Sequence, residues 1–282
     1  MALLGIGDLA LNYEQEGAGT DLVLIHGLGS DLHAWDADVP VLARYHRVLR
    51  FDVRGFGASD KPPGPYAPSL FARDLDALLS GCAVRDAHVL GISLGGVIAQ
   101  RFALEYSSRV RSLVLVSTSS EVGVQAIAAW RRLADMVERN GFDARSADAS
   151  RAFSAGFVQR HPEIVADVGR RNAANDPRAY AAAARAVSDY HWTADLPRLR
   201  IPTLILQGAD DQLTPPGGSV KMQRALPAAR LLMVADAGHN LPLEQPELFR
   251  ASVLAFTAGV DFALAVQVPP SAFTPEPATR DT

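Results

Sequence analysis

The sequence has 282 residues, of which 48% are hydrophobic, and its formal net charge is −4 at pH 7 with a pI near 6.0. This length and composition suit one large domain with a sizeable core, or one domain with an inserted lobe. The mildly acidic balance, without a long block of one charge, argues against a nucleic-acid partner and against attraction to an anionic membrane.

Cysteine content and the N-terminal segment indicate the expected compartment. Cys82 is the only cysteine, so the sequence allows no intrachain disulfide and no cysteine cluster for structural zinc. The N-terminal segment has no basic region and carries Asp8 and Glu14, which is unlike a signal peptide. No apolar run approaches the ~20 residues that a membrane-spanning helix needs. We therefore expect a cytoplasmic protein.

Short apolar runs alternate with helical patterns along the first part of the chain. Residues 9–17 alternate between apolar and polar positions, which predicts an antiparallel strand at the edge of a sheet. Runs rich in Val, Leu and Ile predict buried parallel strands at 21–27, 46–52, 87–93 and 110–117. Amphipathic patterns predict helices over 69–80, with Ser69 able to cap the first turn, and over 94–106.

The pattern changes at about residue 120. Residues 120–195 contain no strand-like run and are rich in Ala and Arg, which predicts an insertion of three to five helices. Strand patterns return at 201–211 and 229–239, and a helical pattern follows in "PELFRASVLAFTAGV". We thus predict a core made of residues 1–119 and 196–266, a helical cap at 120–195, and a disordered Pro-, Ser- and Thr-rich tail at 267–282.

Alternating strands and helices predict a mostly parallel sheet with helices on both faces. In such sheets, ligands bind beyond the carboxyl ends of the strands. The residues directly after each predicted strand are therefore the first candidates for chemistry.

One of these strand ends carries a serine between glycines. Residues 91–95, "GISLG", match G-x-S-x-G, and they follow a predicted strand and precede a predicted helix. That context is typical of a nucleophile elbow, with Ser93 as the nucleophile. A phosphate-binding loop is excluded because G-x-x-x-x-G-K-[ST] is missing, and G-x-G-x-x-G is also absent.

A serine nucleophile needs a base and a group that orients the base. Of the seven histidines, only His26 and His239 follow predicted strands, and His26 is expected to shape its loop. The acid is predicted to be Asp211, with its neighbour Asp210 as the alternative and Glu121 as a more distant one. The order Ser93, Asp211, His239 predicts a catalytic triad.

The developing oxyanion requires two backbone donors. One is predicted to be the N–H of Leu94, directly after the nucleophile. The other is predicted in "HGLG" after the first parallel strand, at the N–H of Leu28.

At this point the sequence resembles the α/β-hydrolase family. The matching segments are "VLIHGLGSDLHAW", "FDVRGFGASDKPPGPY", "LGISLGGVIAQRFA", "LILQGADDQLTPP" and "GHNLPLEQPELF", which span residues 22–250 in the family's order. The resemblance implies an α/β fold with a mostly parallel eight-stranded sheet flanked by helices and a helical cap inserted after the sixth strand. It also implies that Asp52, Arg54, Gly55 and Gly57 fix a loop beside the elbow.

Within that family, the segments are similar to those of 3-oxoadipate enol-lactonases and related carboxylesterases. The resemblance implies hydrolysis of a small ester or lactone, without metal or cofactor. Trp130 with Arg131 or Arg132 is a candidate wall and cation for a carboxylate-bearing substrate, and an amphipathic cap helix with solvated arginines is the alternative interpretation. The same triad also supports C–C hydrolysis of ring-cleavage dienoates and cofactor-free haloperoxidase or perhydrolase chemistry. A ligand receptor built on this fold is a further alternative.

Overall fold

Eight strands form one sheet in the computed structural model, which describes residues 2–7, 9–143 and 147–259. They are β1 (Ala2–Ile6), β2 (Leu9–Glu16), β3 (Thr20–Ile25), β4 (His46–Phe51), β5 (Ala87–Ile92), β6 (Val110–Val116), β7 (Thr203–Gly208) and β8 (Ala229–Val234). Their order across the sheet is β1-β2-β4-β3-β5-β6-β7-β8. From β4 to β8 all neighbours pair in parallel, whereas β1 with β2 and β2 with β4 pair antiparallel. The carboxyl ends of the six parallel strands therefore lie along one edge.

The helices follow the strands in the alternation that the sequence predicts. They are α1 (Val39–Leu42), α2 (Pro68–Gly81), α3 (Leu94–Glu105), α4 (Val124–Asn140), α5 (Ala155–Arg160), α6 (Pro162–Ala173), α7 (Pro177–Ala186), α8 (Gly217–Ala225), α9 (Leu241–Glu244) and α10 (Pro246–Thr257). Within the described ranges, α4 to α7 lie between β6 and β7, inside residues 120–195, which we call the cap segment. Four helices there agree with the expected three to five.

Both faces of the sheet are buried, which explains the continuous apolar runs of its strands. Successive residues of β3 show the alternation: Val23 and Ile25 pack in one buried cluster with α2 and α3, and Leu22 and Leu24 pack in another with α10. All four side chains are fully buried. None of the helices in the described ranges is both long and apolar enough to cross a membrane.

Two predictions of local structure were wrong. The strand at 9–17 is antiparallel as expected but does not form the edge, because β1 pairs with it from Ala2 to Ile6 on the outer side. Helix α2 begins at Pro68, so Ser69 lies inside the first turn, and its N-cap residue is Ala67 without a side-chain hydrogen bond. Proline at the first helical position sets the start of the helix through its fixed φ. The predicted tail at 267–282 lies outside the described residues.

Candidate active site

Ser93 occupies a strained turn between β5 and α3. Its φ is 55° and its ψ is −116°, a backbone conformation that costs a non-glycine residue of order 1–3 kcal/mol. The N–H of Ser93 donates to the carbonyl of Val116 at 3.0 Å, which holds the turn against β6. A Cβ at Gly91 would lie 2.1 Å from the Gly95 carbonyl oxygen, and one at Gly95 would lie 2.2 Å from the Ile25 carbonyl oxygen. The glycines around the serine are therefore required by backbone contacts, as the elbow hypothesis expects.

His239 and Asp211 form a buried hydrogen-bonded pair at the same edge of the sheet. Asp211 follows β7 and is 4% exposed, and His239 follows β8 and is 7% exposed. The distance from His239 Nδ1 to Asp211 Oδ2 is 2.9 Å. Since Asp211 is a carboxylate acceptor, Nδ1 carries the proton and leaves Nε2 as the basic nitrogen. Asp210, the alternative acid, is exposed.

The carboxylate of Asp211 is surrounded by donors. Its Oδ1 accepts hydrogen bonds from the N–H groups of Leu213 at 2.8 Å and Thr214 at 2.9 Å. Its Oδ2 accepts from Thr214 Oγ1 at 2.6 Å and from Gln207 Nε2 at 3.1 Å. Burial opposes ionisation of Asp211, but the adjacent His239 and the Thr214 donors outweigh it and lower the pKa of the carboxyl. Asp211 is thus held ionised and in a fixed orientation.

Ser93 and His239 follow strands that end at the same edge of the sheet. Within the described residues, no hydrogen bond joins Ser93 Oγ to the imidazole of His239. Catalytic hydrogen bonds are often long in structures without a substrate and tighten when one binds. The parallel strands place both residues at the same sheet edge, with β6 and β7 between the strands that carry them.

The loop after β3 lies directly beside the serine. A Cβ at Gly27 would lie 3.5 Å from Ser93 Cβ, so Leu28 follows the point where this loop meets the elbow. Asp52 fixes the far side of the loop by accepting from the N–H of Leu32 at 2.7 Å. From the cap segment, Asn175 Nδ2 donates to the Gly29 carbonyl at 2.7 Å. The loop that carries one predicted oxyanion donor is thus held from two sides.

The loop beside the elbow has the structural role that the family resemblance implies. Besides Leu32, the carboxylate of Asp52 accepts from the N–H of Ala58 at 2.7 Å. Gly57 has a φ of +52°, and a Cβ there would lie 2.1 Å from the Asp52 carboxylate. Arg54 pairs with the buried Asp74, with 2.6 Å between Arg54 Nη2 and Asp74 Oδ1.

His26 shapes its loop, as expected. Its Nε2 accepts from the N–H of Val53 at 2.9 Å, and its Nδ1 lies 2.8 Å from the Gly27 carbonyl. Both contacts fit the neutral ring with the proton on Nδ1. Burial lowers the pKa of His26, which favours the same neutral state.

Glu121 lies at the junction of the cap segment and the core. It forms a two-residue antiparallel bridge with His191. Its carboxylate accepts from Thr193 Oγ1 at 2.7 Å and pairs with Lys221 of α8. The Glu121 side chain therefore stabilises the junction where the chain enters and leaves the cap segment. The acid that pairs with His239 is Asp211 and not Glu121.

The candidate substrate residues lie on α4. Trp130 is half-buried and packs against the main hydrophobic cluster. Arg131 is exposed and pairs with the exposed Asp189 at 2.7 Å, and Arg132 is also exposed. These positions favour the interpretation of an amphipathic cap helix with solvated arginines, and the role of Trp130 stays a prediction.

Several polar residues of the site were missed by the sequence analysis. Thr214 and Gln207 contact Asp211, and Ser219 Oγ donates to Gln207 Oε1 at 2.7 Å, which orients the amide. Glu244 contacts the loop that carries His239. The proximity of Thr214 to the predicted acid was a usable signal, because a hydroxyl three residues after an aspartate readily bonds it.

Comparison with known proteins shows the family to which this chain belongs. A family model described as alpha/beta hydrolase fold matches residues 21–246. The chain belongs to the α/β-hydrolase family.

Three similar proteins illustrate which members of the family this chain resembles. The 3-oxoadipate enol-lactonase 2 of Acinetobacter baylyi is 31% identical over 253 residues, which cover 88% of this chain and 93% of the relative. A hydrolase from Pseudomonas aeruginosa PA01 is 34% identical with a TM-score of 0.86, covering 91% of this chain and 97% of its own. The enol-lactonase from Burkholderia xenovorans LB400 is 26% identical with a TM-score of 0.86, covering 91% and 100%.

Proposed function

We propose that this protein is a serine hydrolase that cleaves a small carboxylic ester or lactone through an acyl-enzyme. The observation that carries the proposal is the buried His239–Asp211 pair, at 2.9 Å, on the sheet edge where Ser93 sits at positive φ. A serine in a strained turn and an imidazole oriented by a carboxylate, at the same sheet edge, are the components that a serine nucleophile requires.

In the first half of the reaction, Ser93 Oγ attacks the substrate carbonyl while His239 Nε2 accepts its proton. Asp211 stabilises the resulting imidazolium and keeps the ring in the productive tautomer. The N–H groups of Leu28 and Leu94 stabilise the oxyanion, and within the described residues neither donates to a protein acceptor. His239 then protonates the leaving oxygen, which gives the acyl-enzyme.

In the second half, water attacks the acyl carbonyl and gives its proton to His239. Collapse of the tetrahedral intermediate breaks the bond to Ser93 Oγ, which regains a proton from the imidazolium. For a lactone, the leaving oxygen stays attached to the acyl chain, so a single product is released: a hydroxy acid from a simple lactone, or an enol acid that tautomerises to a keto acid from an enol lactone. All proton transfers pass through His239, so the mechanism uses only groups of this chain.

The preference for a lactone is supported by the relatives. The A. baylyi relative is named for enol-lactone hydrolysis, as is the B. xenovorans structure. We extend that substrate class to this chain as part of the proposal. C–C cleavage of dienoates and perhydrolase activity use the same nucleophile and remain the alternative chemistries.

Stopped-flow turnover of p-nitrophenyl acetate tests the proposal. The wild type should release a burst near one equivalent of p-nitrophenol, and Ser93→Ala should lose the burst with its far-UV circular dichroism unchanged. A panel of enol lactones, alkyl esters and dienoates, assayed in parallel, then ranks the substrate classes. A Ser93→Ala protein that turns over any of these at the wild-type rate would refute the mechanism.

A further inference from the structure

We propose that Glu244 is a positioning residue that joins the loop carrying His239 to the cap segment. The inference rests on the proposed function, because it assigns Glu244 a role in holding the catalytic base. Glu244 falls within the segment "GHNLPLEQPELF", to which the sequence analysis gave no role for this side chain, and it lies at the end of the four-residue helix α9.

The carboxylate of Glu244 bridges two backbone amides from different parts of the fold. Its Oε1 accepts from the N–H of Gly238 at 2.9 Å, directly before His239. Its Oε2 accepts from the N–H of Ser154 at 2.9 Å, in the cap segment 90 residues away along the chain. Each oxygen thus satisfies one amide, and the two amides are held at a separation set by the carboxylate.

A second set of contacts joins the same two segments. The carbonyl of Ala152 accepts from the N–H of His239 at 3.1 Å and from that of Asn240 at 3.0 Å. A Cβ at Gly238 would lie 2.6 Å from the carbonyl carbon of Phe153, so the backbones are in direct contact. Phe153 is buried in a cluster with Phe157 and Val165, which anchors this stretch in the cap.

These contacts give the cap segment a direct influence on the base. The imidazole of His239 is held by Asp211, and the backbone of the same residue is held by Ala152. Without Glu244, the Gly238 and Ser154 amides lose their acceptors, and the two backbones lose one of their links. Because small displacements of a catalytic group can cost up to about 100-fold in rate, loosening this link should act on the chemical step.

Only a carboxylate satisfies both amides. Replacing Glu244 by glutamine keeps one carbonyl oxygen but points an NH₂ group at the second amide. Glu244→Gln should therefore retain part of the link, and Glu244→Ala should retain none. This graded series separates a positioning role from a general loss of stability.

The experiment compares wild type, Glu244→Gln, Glu244→Ala and the control Glu163→Ala. Glu163 is also a glutamate of the chain, but its side chain is 70% exposed on α6. Rates are normalised to the fraction of protein labelled by a fluorescent fluorophosphonate, so that misfolded protein is not counted. We expect kcat for p-nitrophenyl acetate to fall roughly 10- to 100-fold in Glu244→Ala, by less in Glu244→Gln, with KM within about threefold.

Hydrogen exchange provides a readout that does not depend on turnover. In Glu244→Ala, the amides of Gly238 and Ser154 should exchange faster together, while those of β5 and β6 keep their protection. A normalised kcat within twofold of wild type, or equal losses in Glu163→Ala, would overturn the inference. If Ser93→Ala stays active, the proposed function fails alone, and coupled exchange at Gly238 and Ser154 still decides whether Glu244 links the two segments.

Discussion

The buried pair of histidines at the amino ends of β4 and β5 predicts a loss of stability at mildly acidic pH. His46 and His88 contact each other with ring centroids 5.6 Å apart. His88 Nδ1 lies 2.8 Å from Ser112 Oγ, and His46 bonds the hydroxyls of Thr20 and Thr257 at 2.9 Å each. All of these hydrogen-bond partners are neutral, so no carboxylate is bonded to either ring to compensate a positive charge.

Burial is the main reason why the pKa of His88 falls from 6.5 to about 4, and the nearby His46 and Arg111 lower it further, against a smaller opposing effect of Asp86. Burial likewise lowers the pKa of His46. A lowered folded-state pKa means that the unfolded chain binds the proton more tightly, so stability is complete above pH 6.5 and falls as the pH drops towards 4. For His88 alone, linkage gives a loss of about 2 kcal/mol at pH 5 and about 3 kcal/mol at pH 4.

The perturbation is His88→Gln, which removes the titrating group and keeps a polar side chain opposite Ser112. Urea unfolding at pH 7.5 and pH 5 gives, for each protein, the drop in the free energy of unfolding between these two pH values. We expect the drop between these pH values to be about 2 kcal/mol smaller in the variant.

The double difference also removes contributions from groups that do not interact with His88. Burial raises the pKa of Asp38 to about 6, so the folded state gains protons there as the pH falls, which adds stability and works against the histidine effect. We expect this contribution to be the same in wild type and in His88→Gln, since the charged groups that affect the pKa of Asp38 are Arg250 and Glu247. Equal drops in both proteins would refute the assignment of acid lability to His88.

Two further predictions concern the loops of the candidate active site. Asp211→Asn should lower kcat/KM for p-nitrophenyl acetate by about 10³- to 10⁴-fold, because the amide no longer favours the productive imidazole tautomer. Asp210→Asn is its matched control and should leave the rate within twofold, since Asp210 is exposed. Asn175→Ala removes the donor to the Gly29 carbonyl and should lower kcat roughly fivefold in the same assay, from one hydrogen bond of about 1 kcal/mol. Asn140→Ala, at the exposed end of α4, is the control and should leave kcat unchanged. An equal loss of kcat in Asn140→Ala and Asn175→Ala would contradict the proposed role of the loop that carries Leu28.

The sheet was predictable because its strands are buried on both faces. Runs such as residues 87–93 and 110–117 stand out by composition, and the structure places β5 and β6 there. Strand β1 gave no such signal, because Ala2, Leu3 and Gly5 are exposed and the strand is stabilised by backbone pairing with β2. A strand whose side chains are mostly exposed and alternate with glycine carries little of the core and therefore little of the pattern, whereas β8 at the other edge keeps an apolar run.

The residues of the candidate site also fall into those that the sequence could predict and those that it could not. Ser93, Asp211 and His239 could be proposed because each follows a strand, and parallel strands bring their ends to one edge. Glu244 and Asn175 could not, because they bond backbone groups, and the partners that define their roles, the Ser154 N–H and the Gly29 carbonyl, lie 90 and 146 residues away. A backbone donor or acceptor has no side-chain signature, so contacts of this type become visible only in three dimensions.

The bridge between Glu121 and His191 has a consequence for how this scaffold can change its substrate. The bridge brings the start and the end of the cap segment together, so we expect the stretch between them to tolerate replacement without a change in the sheet. Insertions whose ends lie close together are the ones that a domain tolerates best. Replacement of the cap segment is constrained, however, by the contacts at Ala152 and Ser154. On the proposed roles of His239 and Glu244, we expect a replacement segment to need one carbonyl and one N–H at that place to keep the geometry of the base.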